Sequence, residues 1–338
     1  MKSTIKDVAS AAGVSVGTAS RVVNGIATVN SDLRARVLKA VADLGYKPNA
    51  IAQSMRLKTT QTVAIVIRDI SVPGLSALVK SAQAVLGEAG YTVVLAVTGD
   101  QPAREIAVLN ALAGRQVDGL ILTTASDSDP ALLTAREGLG VPVVLLDRAQ
   151  SGNADTVEIN YRDGTRQAVE YLIRLGHRRI ALITGSSETR PGRERSLGYQ
   201  DAFAAAGLQH DPGLIRCRSF GSEYAFSEAT ALLNQHERPT AIIAGAVGTL
   251  PSVLRAAATC NVSVPEELSV IGCINTELSE LLTPPVTVVD VDYAALGKAA
   301  AGLLLDRIDQ ALPDPTPRKL SFGTTLIIRG SCLAPAVK

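Results

Sequence analysis

Apolar residues recur at intervals of three and four along residues 5–12, which predicts a helix with one buried face. Thr4 precedes this run and is placed to cap the helix with its hydroxyl, while Asp7 favours the positive helix end. Gly13 then permits the left-handed backbone of a tight turn. Ser15 is placed to cap a second helix, so the stretch is predicted to be a helix-turn-helix.

A third helix is predicted from its cap Asn30 to Gly45, because four apolar residues form one stripe along it. The stripe consists of Leu33, Val37, Val41 and Leu44. Residues 1–47 are therefore predicted to form a three-helix headpiece. Residues 48–61 are predicted to form a hinge in which Pro48 opens a short helix. A helix of this length is marginal in water, so we expect it to order on binding DNA.

From Thr62 onward, continuous apolar runs alternate with helix-like segments, which is typical of parallel strands buried on both faces. The runs include TVAIVI, YTVVLAV, DGLILTT, PVVLLD, DTVEIN, RRIALITG, TAIIAG and LSVIGC. We predict an α/β core over residues 62–338 with two parallel-sheet lobes. The first lobe spans about 62–160 and 293–325, and the second spans about 161–290. One strand at Leu320–Ile328 is expected to complete the first lobe.

Composition and charge favour a nucleic-acid module joined to a different body. Residues 1–60 hold nine Lys or Arg and three Asp or Glu, whereas the remainder holds 24 and 29. The four cysteines lack metal-ligand spacing and no histidine fits a metal or triad pattern, so no metal, cofactor or catalytic residue is predicted. No apolar run approaches the roughly 20 residues of a membrane span. We expect a cytoplasmic protein associated with the nucleoid.

The exposed front of the second predicted helix has the chemistry of a base-reading surface. Val16, Gly17, Ser20 and Arg21 face outward once Ala19 and its neighbours are buried. Small residues followed by an arginine suit the major groove, because base edges can come close and Arg can pair with guanine acceptors. The alternative is an ordinary helical hairpin at the start of a globular domain.

The order and spacing of these features resemble a known family. TIKDVASAAGVSVGTASRVVNG followed by LGYKPNAIAQSM is similar to the DNA-binding headpiece and hinge of the lactose/galactose repressor family. Further similarities are GHRRIALITG (176–185), GRERSLGY (192–199), VPEELSVIG (264–272), LTPPVTVV (282–289) and LIIRGSC (326–332). The resemblance implies a bilobed core like that of periplasmic sugar-binding proteins. It also implies a sequence-specific transcriptional regulator, expected to be a repressor, that binds a palindromic operator in double-stranded DNA as a homodimer.

The resemblance and the exposed helix front together give a set of DNA-binding candidates. They are Thr4, Ser15, Val16, Gly17, Thr18, Ser20, Arg21, Asn24, Asn30, Tyr46, Asn49, Met55 and Arg56. In the family, a hinge leucine wedges a central base step in the minor groove, and the matching position here is Met55. Methionine is still an apolar wedge of the kind that kinks DNA. The alternative is that Met55 packs on the body and the segment is merely a linker.

A ligand cleft is expected where loops follow the carboxyl ends of the strands of the two lobes. The effector-binding candidates are Asp69, Val72, Leu75, Asp147, Arg148, Arg195, Ala246 and Asn275. Arg195 matches a family arginine that commonly anchors the effector. Its alternative role is an ion pair between lobes or with Asp147.

The cleft departs from the family in four places that usually bind sugar hydroxyls. The departures are Val72-Pro73-Gly74-Leu75 for an aromatic run, Asn160-Tyr161 for Asp-Asn, Ala246-Val247 for Asn-Asp, and Cys273-Ile274-Asn275 for aromatic-Asp-Asp. A site built on hydrogen bonds loses affinity heavily when its partners vanish. The hypothesis is a non-standard effector, anionic or partly apolar, held by Arg195 and Arg148. A second hypothesis is a degenerate cleft with regulation that needs no effector.

Two other classes of protein were weighed against the regulator. An enzyme on a nucleotide-binding fold is disfavoured because no GxGxxG follows a strand and no phosphate-binding lysine loop occurs. A transport-associated binding protein would suit the core, but it has no use for a basic helix-turn-helix. The headpiece therefore decides the interpretation, and the effector stays open between a sugar-like molecule and an organic acid.

Overall fold

The computed structural model describes residues 3–24, 29–46, 59–148, 154–246, 248–309 and 316–336. The chain divides between Thr60 and Gln61 into two compact units, called here the headpiece and the core. Several residues named above lie outside the described residues: Pro48, Asn49, Met55, Arg56 and Val247.

The headpiece contains the three predicted helices, α1 (Ile5–Ala12), α2 (Val16–Val23) and α3 (Ser31–Asp43). The predicted caps are confirmed at all three starts, with Thr4 and Asp7 forming a reciprocal capping box at α1. The helices enclose a core of small side chains, among them Val8, Ala19 and Val37. Such small residues let short helices approach closely and define the exposed front of α2.

The third helix ends earlier than its apolar stripe suggests. Leu44 is the C-cap of α3 and is 37% exposed, so its place in the buried stripe was wrong. The chain leaves the helix there, because Gly45 adopts a left-handed φ of 55°. Arg36 of α3 instead ties the headpiece together, since its Nη2 donates to the carbonyl oxygen of Ala12 at 2.6 Å.

The core alternates strands and helices in two lobes. Its strands are β1 (Thr62–Ile67), β2 (Thr92–Val97), β3 (Gly119–Leu122), β4 (Val143–Leu146), β5 (Asp155–Ile159), β6 (Ile180–Thr184), β7 (Ile215–Cys217), β8 (Ala241–Ala244), β9 (Ser269–Gly272), β10 (Thr287–Asp290), β11 (Lys319–Phe322) and β12 (Thr325–Ile327). Its helices are α4 (Pro73–Glu88), α5 (Pro102–Ala113), α6 (Pro130–Glu137), α7 (Tyr161–Arg174), α8 (Arg190–Ala205), α9 (Ser222–Leu233), α10 (Thr249–Thr259), α11 (Glu277–Leu281) and α12 (Tyr293–Ile308).

The first lobe is built on a parallel sheet with the order β11-β5-β4-β3-β1-β2. Helices α4 and α12 pack on one face of this sheet, and α5 packs on the other. Strands β3 and β5 are buried along their whole length, as the continuous apolar runs predict. Strand β2 lies at an edge and is largely exposed.

The second lobe is built on a sheet with the order β12-β10-β9-β8-β6-β7, covered by α9 and α10 on one face and by α7 and α8 on the other. All pairs are parallel except β10 with β12. The single strand expected at Leu320–Ile328 was therefore wrong. It divides into β11 in the first sheet and β12 in the second, because the chain crosses between lobes at residues 323–324.

Asp155 at the start of β5 holds the end of the first lobe together. Its carboxylate accepts hydrogen bonds from Arg307 Nη2 at 2.7 Å, from the backbone N–H of Arg318 at 2.8 Å and from Arg318 Nη2 at 2.9 Å. Its side chain is fully buried. Burial opposes ionisation, but the hydrogen bonds from Arg307 and Arg318 outweigh it and hold the pKa of Asp155 below its ordinary value.

We predict that Asp155→Asn destabilises the core by about 3 kcal/mol, because it leaves two guanidinium groups without their buried partner. Asp306→Asn is the matched control. Asp306 also binds Arg318, at 2.8 Å, but is half-exposed, so its loss costs under about 1 kcal/mol. Urea denaturation at pH 7 measures both. Since the pKa of Asp155 is lowered, its contribution is present above the unfolded value of 3.8 and is lost as pH falls through the folded value. Equal losses for the two variants would contradict the prediction.

Candidate functional site

The turn between α1 and α2 presents one face of α2 to solvent. Gly13 adopts a left-handed φ of 63°, which no side chain at this position could share without strain. Ser15 Oγ accepts the backbone N–H of Thr18 at 3.1 Å and starts α2. Ala19 is buried, whereas Val16 is 45% exposed and lies on the outer face. Gly17 and Arg21 are exposed on the same helix, whereas Ser20, also predicted to face outward, is half-buried.

Other DNA-binding candidates lie at helix ends rather than on the α2 front. Thr4 and Ser15 cap α1 and α2, and Asn30 Oδ1 accepts the N–H of Asp32 at the start of α3. The Asn24 amide donates to the carbonyl oxygen of Ser20 at 2.5 Å and closes α2. Thr4, Ser15 and Asn30 therefore lie at helix N-termini, whose backbone N–H groups are good phosphate ligands, whereas Asn24 lies at the C-terminal end of α2.

Two cavities follow the carboxyl ends of the core strands, in the cleft between the lobes. The larger, called here the outer cavity, has a volume of about 1190 Å³ and is lined by Asp69, Val72 and Asn275 among others. The smaller, called here the inner pocket, has a volume of about 50 Å³. Six effector candidates line the inner pocket: Val72, Leu75, Asp147, Arg148, Arg195 and Ala246.

Asp147 directly follows β4 and is held in place by two donors. Its φ of 52° turns the chain sharply. Its Oδ1 accepts the backbone N–H of Ile159 at 2.9 Å, and its Oδ2 accepts the hydroxyl of Tyr161 at 2.5 Å. Burial raises the pKa of Asp147, although both hydrogen bonds oppose the shift. Sequence reasoning noted Tyr161 only as a departure from the family, and missed that it reaches this carboxylate.

Arg195 is buried against aromatic and apolar groups. Its guanidinium carbon lies 3.9 Å from the centre of the Tyr161 ring, at the distance of a cation–π contact. Its Nη1 lies 3.4 Å from the carbonyl oxygen of Pro191, and its side chain faces Cys273, whose thiol pKa is raised by burial. Within the described residues, no ion pair shorter than 4.0 Å joins Arg195 to Asp147.

Arg148 forms part of the wall of the inner pocket. Its Nε donates to the carbonyl oxygen of Thr124 at 2.5 Å, and its Nη1 donates to the backbone carbonyl oxygen of Asp147 at 3.0 Å. Its Nε also lies 4.0 Å from the Asp127 carboxylate. These contacts use hydrogen-bond donors of the Arg148 guanidinium that would otherwise be available to a ligand.

Ion pairs connect the two lobes beside the cleft. Asp127 of the first lobe accepts the backbone N–H of Arg190 at 2.9 Å and Arg193 Nη2 at 2.8 Å, both from the second lobe. Arg190 Nη2 also lies 2.8 Å from the buried carboxylate of Glu158. Sequence reasoning missed these residues, because acidic and basic residues on separate elements carry no local signal of pairing.

Three half-buried side chains complete the boundary between the two cavities, and each lines both of them: Arg68, Phe220 and Tyr293. The guanidinium carbon of Arg68 lies 4.8 Å from the centre of the Phe220 ring and connects the lobes. A methyl group at Gly185 would overlap that ring, so a larger residue there would have to displace Phe220 from this contact. The aromatic residues missing from the Val72–Leu75 run are thus supplied from other elements.

Two negative findings concern the described part of the chain. Within it, no helix is both long and apolar enough to cross a bilayer. The same residues contain no cluster of three or more His, Cys, Asp or Glu side chains arranged to hold a metal ion.

Profiles of two known families match the chain. Residues 4–49 match "Bacterial regulatory proteins, lacI family", and residues 169–332 match "Periplasmic binding protein-like domain". The first match covers the headpiece and the start of the segment that follows it. The second match covers most of the second lobe and the segments that return to the first lobe.

Full-length relatives and solved structures agree with these matches. The ribose operon repressor of Escherichia coli (strain K12) is 34% identical over 97% of this chain and 99% of its own length. The repressor PurR of Glaesserella parasuis serovar 5 (strain SH0165) is 33% identical over 97% and 98%.

Among solved structures, the lac repressor dimer bound to operator and the anti-inducer ONPF superposes with a TM-score of 0.85 at 26% identity, covering 99% of this chain and 100% of that one. The regulator CelR in complex with cellobiose gives a TM-score of 0.74 at 31% identity, covering 98% and 100%. The chain therefore belongs to the lacI family of bacterial regulatory proteins and is a DNA-binding transcriptional repressor with an effector-binding core.

Proposed function

We propose that this repressor binds a roughly palindromic operator as a homodimer, with one α2 helix in the major groove of each half-site. The observation that carries the proposal is the front of α2, where Val16, Gly17 and Arg21 are exposed beside the buried Ala19. A backbone free of bulky side chains at Gly17 permits close approach to base edges. Acting on DNA, the protein works in the cytoplasm at the nucleoid.

The headpiece candidates take different roles in this proposal. Val16 offers an apolar contact to a thymine methyl group, and Arg21 offers a bidentate contact to guanine. The capping residues hold helix N-termini against phosphates, which gives affinity without sequence information. The hinge segment that begins near Asn49 enters the minor groove with Met55 as the apolar wedge, and Arg56 contacts phosphates. Tyr46 packs against the headpiece core and fixes the start of that segment.

The homodimer is supported by apolar side chains that the described core leaves exposed. Leu95 and Val97 lie on the edge strand β2 at 41% and 37% exposure. On α11, Leu281 is 81% exposed. An unpaired edge strand and exposed leucines are liabilities in a monomer. We propose that a second copy of the chain covers them, because a two-fold operator requires a two-fold protein.

For the effector, we propose a hydroxylated molecule that carries an apolar ring and binds in the outer cavity. Phe220 and Tyr293 offer aromatic faces there. Four carboxylates and one guanidinium also line it, from Asp69, Glu277, Asp290, Asp292 and Arg68. The hydrogen bonds from Ser71 lower the pKa of Asp69, so this carboxylate is charged at neutral pH. This charge balance favours an uncharged ring compound over an organic acid, with Arg195 and Arg148 completing the wall behind it.

A second candidate is a repressor that needs no effector. The observation that favours it is the volume of the inner pocket, about 50 Å³. Sites for small molecules are typically about 300–1,000 Å³. Under this candidate the outer cavity takes no ligand, and the interlobe ion pairs alone set the conformation of the core.

We predict that Arg21→Ala weakens binding to the duplex that the protein itself enriches from a random pool by about 5- to 150-fold, the value of one bidentate base contact. Lys39→Ala is the matched control, because it removes the same charge from an exposed site on α3. Fluorescence anisotropy at fixed salt measures both. The control should weaken binding to every duplex by about the same factor. That factor should be smaller than the effect of Arg21→Ala on the enriched duplex. An identical effect of the two variants on the enriched and a scrambled duplex would contradict the base-reading role.

We predict that nucleosides and aryl glycosides at millimolar concentration raise the melting temperature, whereas simple sugars and organic acids do not, because only ring compounds use Phe220 and Tyr293. Phe220→Ala should abolish the shift. Phe226→Ala is its control, since Phe226 stacks with Arg255 at 4.1 Å and does not line the cleft. If simple sugars alone raise the melting temperature, the effector proposal fails. If no compound does, the effector-independent candidate is favoured.

A further inference from the structure

The Asp147 carboxylate and the Arg195 guanidinium in the inner pocket could both bind a ring-shaped ligand. The side chain of Tyr161 already contacts both groups. The Asp147 carboxylate accepts the Tyr161 hydroxyl at 2.5 Å, and the Arg195 guanidinium lies 3.9 Å from the centre of the same ring. Tyr161 itself is 8% exposed. A phenol thus fills the space between an acceptor and a planar cation.

We propose that Tyr161 is a built-in occupant of the inner pocket and a specificity-determining residue of this repressor. It excludes any ring from the space between Asp147 and Arg195, so that a ligand can enter only the outer cavity. The inference rests on the proposed effector cleft and adds the reason why its inner part accepts no sugar.

The local backbone fixes Tyr161 in this position. Tyr161 is the first residue of α7, and the Asn160 cap accepts the N–H of Asp163 at 3.1 Å to start the helix. Ile159, at the end of β5, binds Asp147 through its backbone N–H at 2.9 Å. Two hydrogen bonds, from residues two positions apart, therefore join this turn to the end of β4. A side chain held by such a turn loses little entropy when it fills the pocket.

The protonation states keep the contact intact at neutral pH. Burial, and then the charge of Asp147, raise the pKa of Tyr161 well above its ordinary value. The phenol therefore remains a hydrogen-bond donor. Burial also raises the pKa of the neighbouring Tyr293 to about 12. An alternative ligand would have to replace this donor and the ring together.

The remaining space supports exclusion rather than shared occupancy. The inner pocket of about 50 Å³ holds one or two water molecules at roughly 30 Å³ each. A sugar or nucleobase ring does not fit beside the phenol. Its other walls include Leu75, Ala246 and Cys273, which offer a ring apolar contacts and few hydrogen bonds.

The proposal is tested by removing the phenol and supplying it from solution. Tyr161→Ala should bind p-cresol, because the free phenol restores both the hydrogen bond to Asp147 and the stack under Arg195. At a concentration tenfold above its dissociation constant, p-cresol should raise the melting temperature of this variant by about 3 °C. Wild-type protein should not respond. Toluene lacks the hydroxyl and should stabilise the variant less.

Two further variants keep the test decisive. Tyr171→Ala is the matched control, because Tyr171 lies on the same helix and packs in the second-lobe core instead of the pocket. It should show no response to p-cresol. Tyr161→Ser covers the case in which Tyr161→Ala does not fold, since its small hydroxyl keeps a polar group at this position while the space of the ring stays empty, and it should also respond to p-cresol.

Equal responses of wild type and both Tyr161 variants, or equal responses of the Tyr161 and Tyr171 variants, would overturn the role of Tyr161. Operator binding by wild-type protein is measured on the same samples. If wild-type protein does not bind operator, the proposed DNA-binding mode is refuted. Equal responses to p-cresol would refute only the role of Tyr161 as the occupant of the inner pocket.

Discussion

Parallel strands buried on both faces can present polar groups only where they end, and both lobes of the core obey this constraint. The carboxyl ends of β1, β3, β4, β8 and β9 all open into the cleft between the lobes. The positions of Asp147 and Arg148, which directly follow β4, result from that geometry. Asp147 follows β4, for example, and reaches Tyr161 only because the first turn of α7 returns to the same edge.

The cleft combines two kinds of interlobe contact. The ion pairs of Asp127 with Arg193 and of Glu158 with Arg190 lie beside the cleft, and both carboxylates are buried. The cation–π contact of Arg68 in the first lobe with Phe220 in the second lies within it. Contacts of this kind connect the same two surfaces that the proposed effector would contact in the cleft.

Much of the fold could be predicted from the sequence. Continuous apolar runs gave strands such as β1, and caps such as Thr4 and Ser15 gave helix starts. The division of residues 319–327 between two sheets could not be predicted, because a crossing between lobes leaves no periodicity.

The cleft was predicted as a set of positions but not as a set of contacts. All eight effector candidates line the outer cavity or the inner pocket, since strand ends can be located from the sequence. The pairing of Tyr161 with Asp147 and Arg195 depends on three elements that are distant in the chain. Sequence spacing therefore marked Tyr161 as unusual without showing what it replaces. The roles proposed for the DNA-binding and effector-binding residues stay predictions.

The central claim is that two copies of the headpiece read one two-fold operator. The most direct test is selection of DNA duplexes by the full-length protein from a random pool, with and without a metabolite mixture, and with Met55→Ala as a comparison. The account predicts an enriched inverted repeat whose half-sites lie about one helical turn apart, bound more weakly by the variant. Enrichment of a single unsymmetrical site, or of no sequence under either condition, would contradict it.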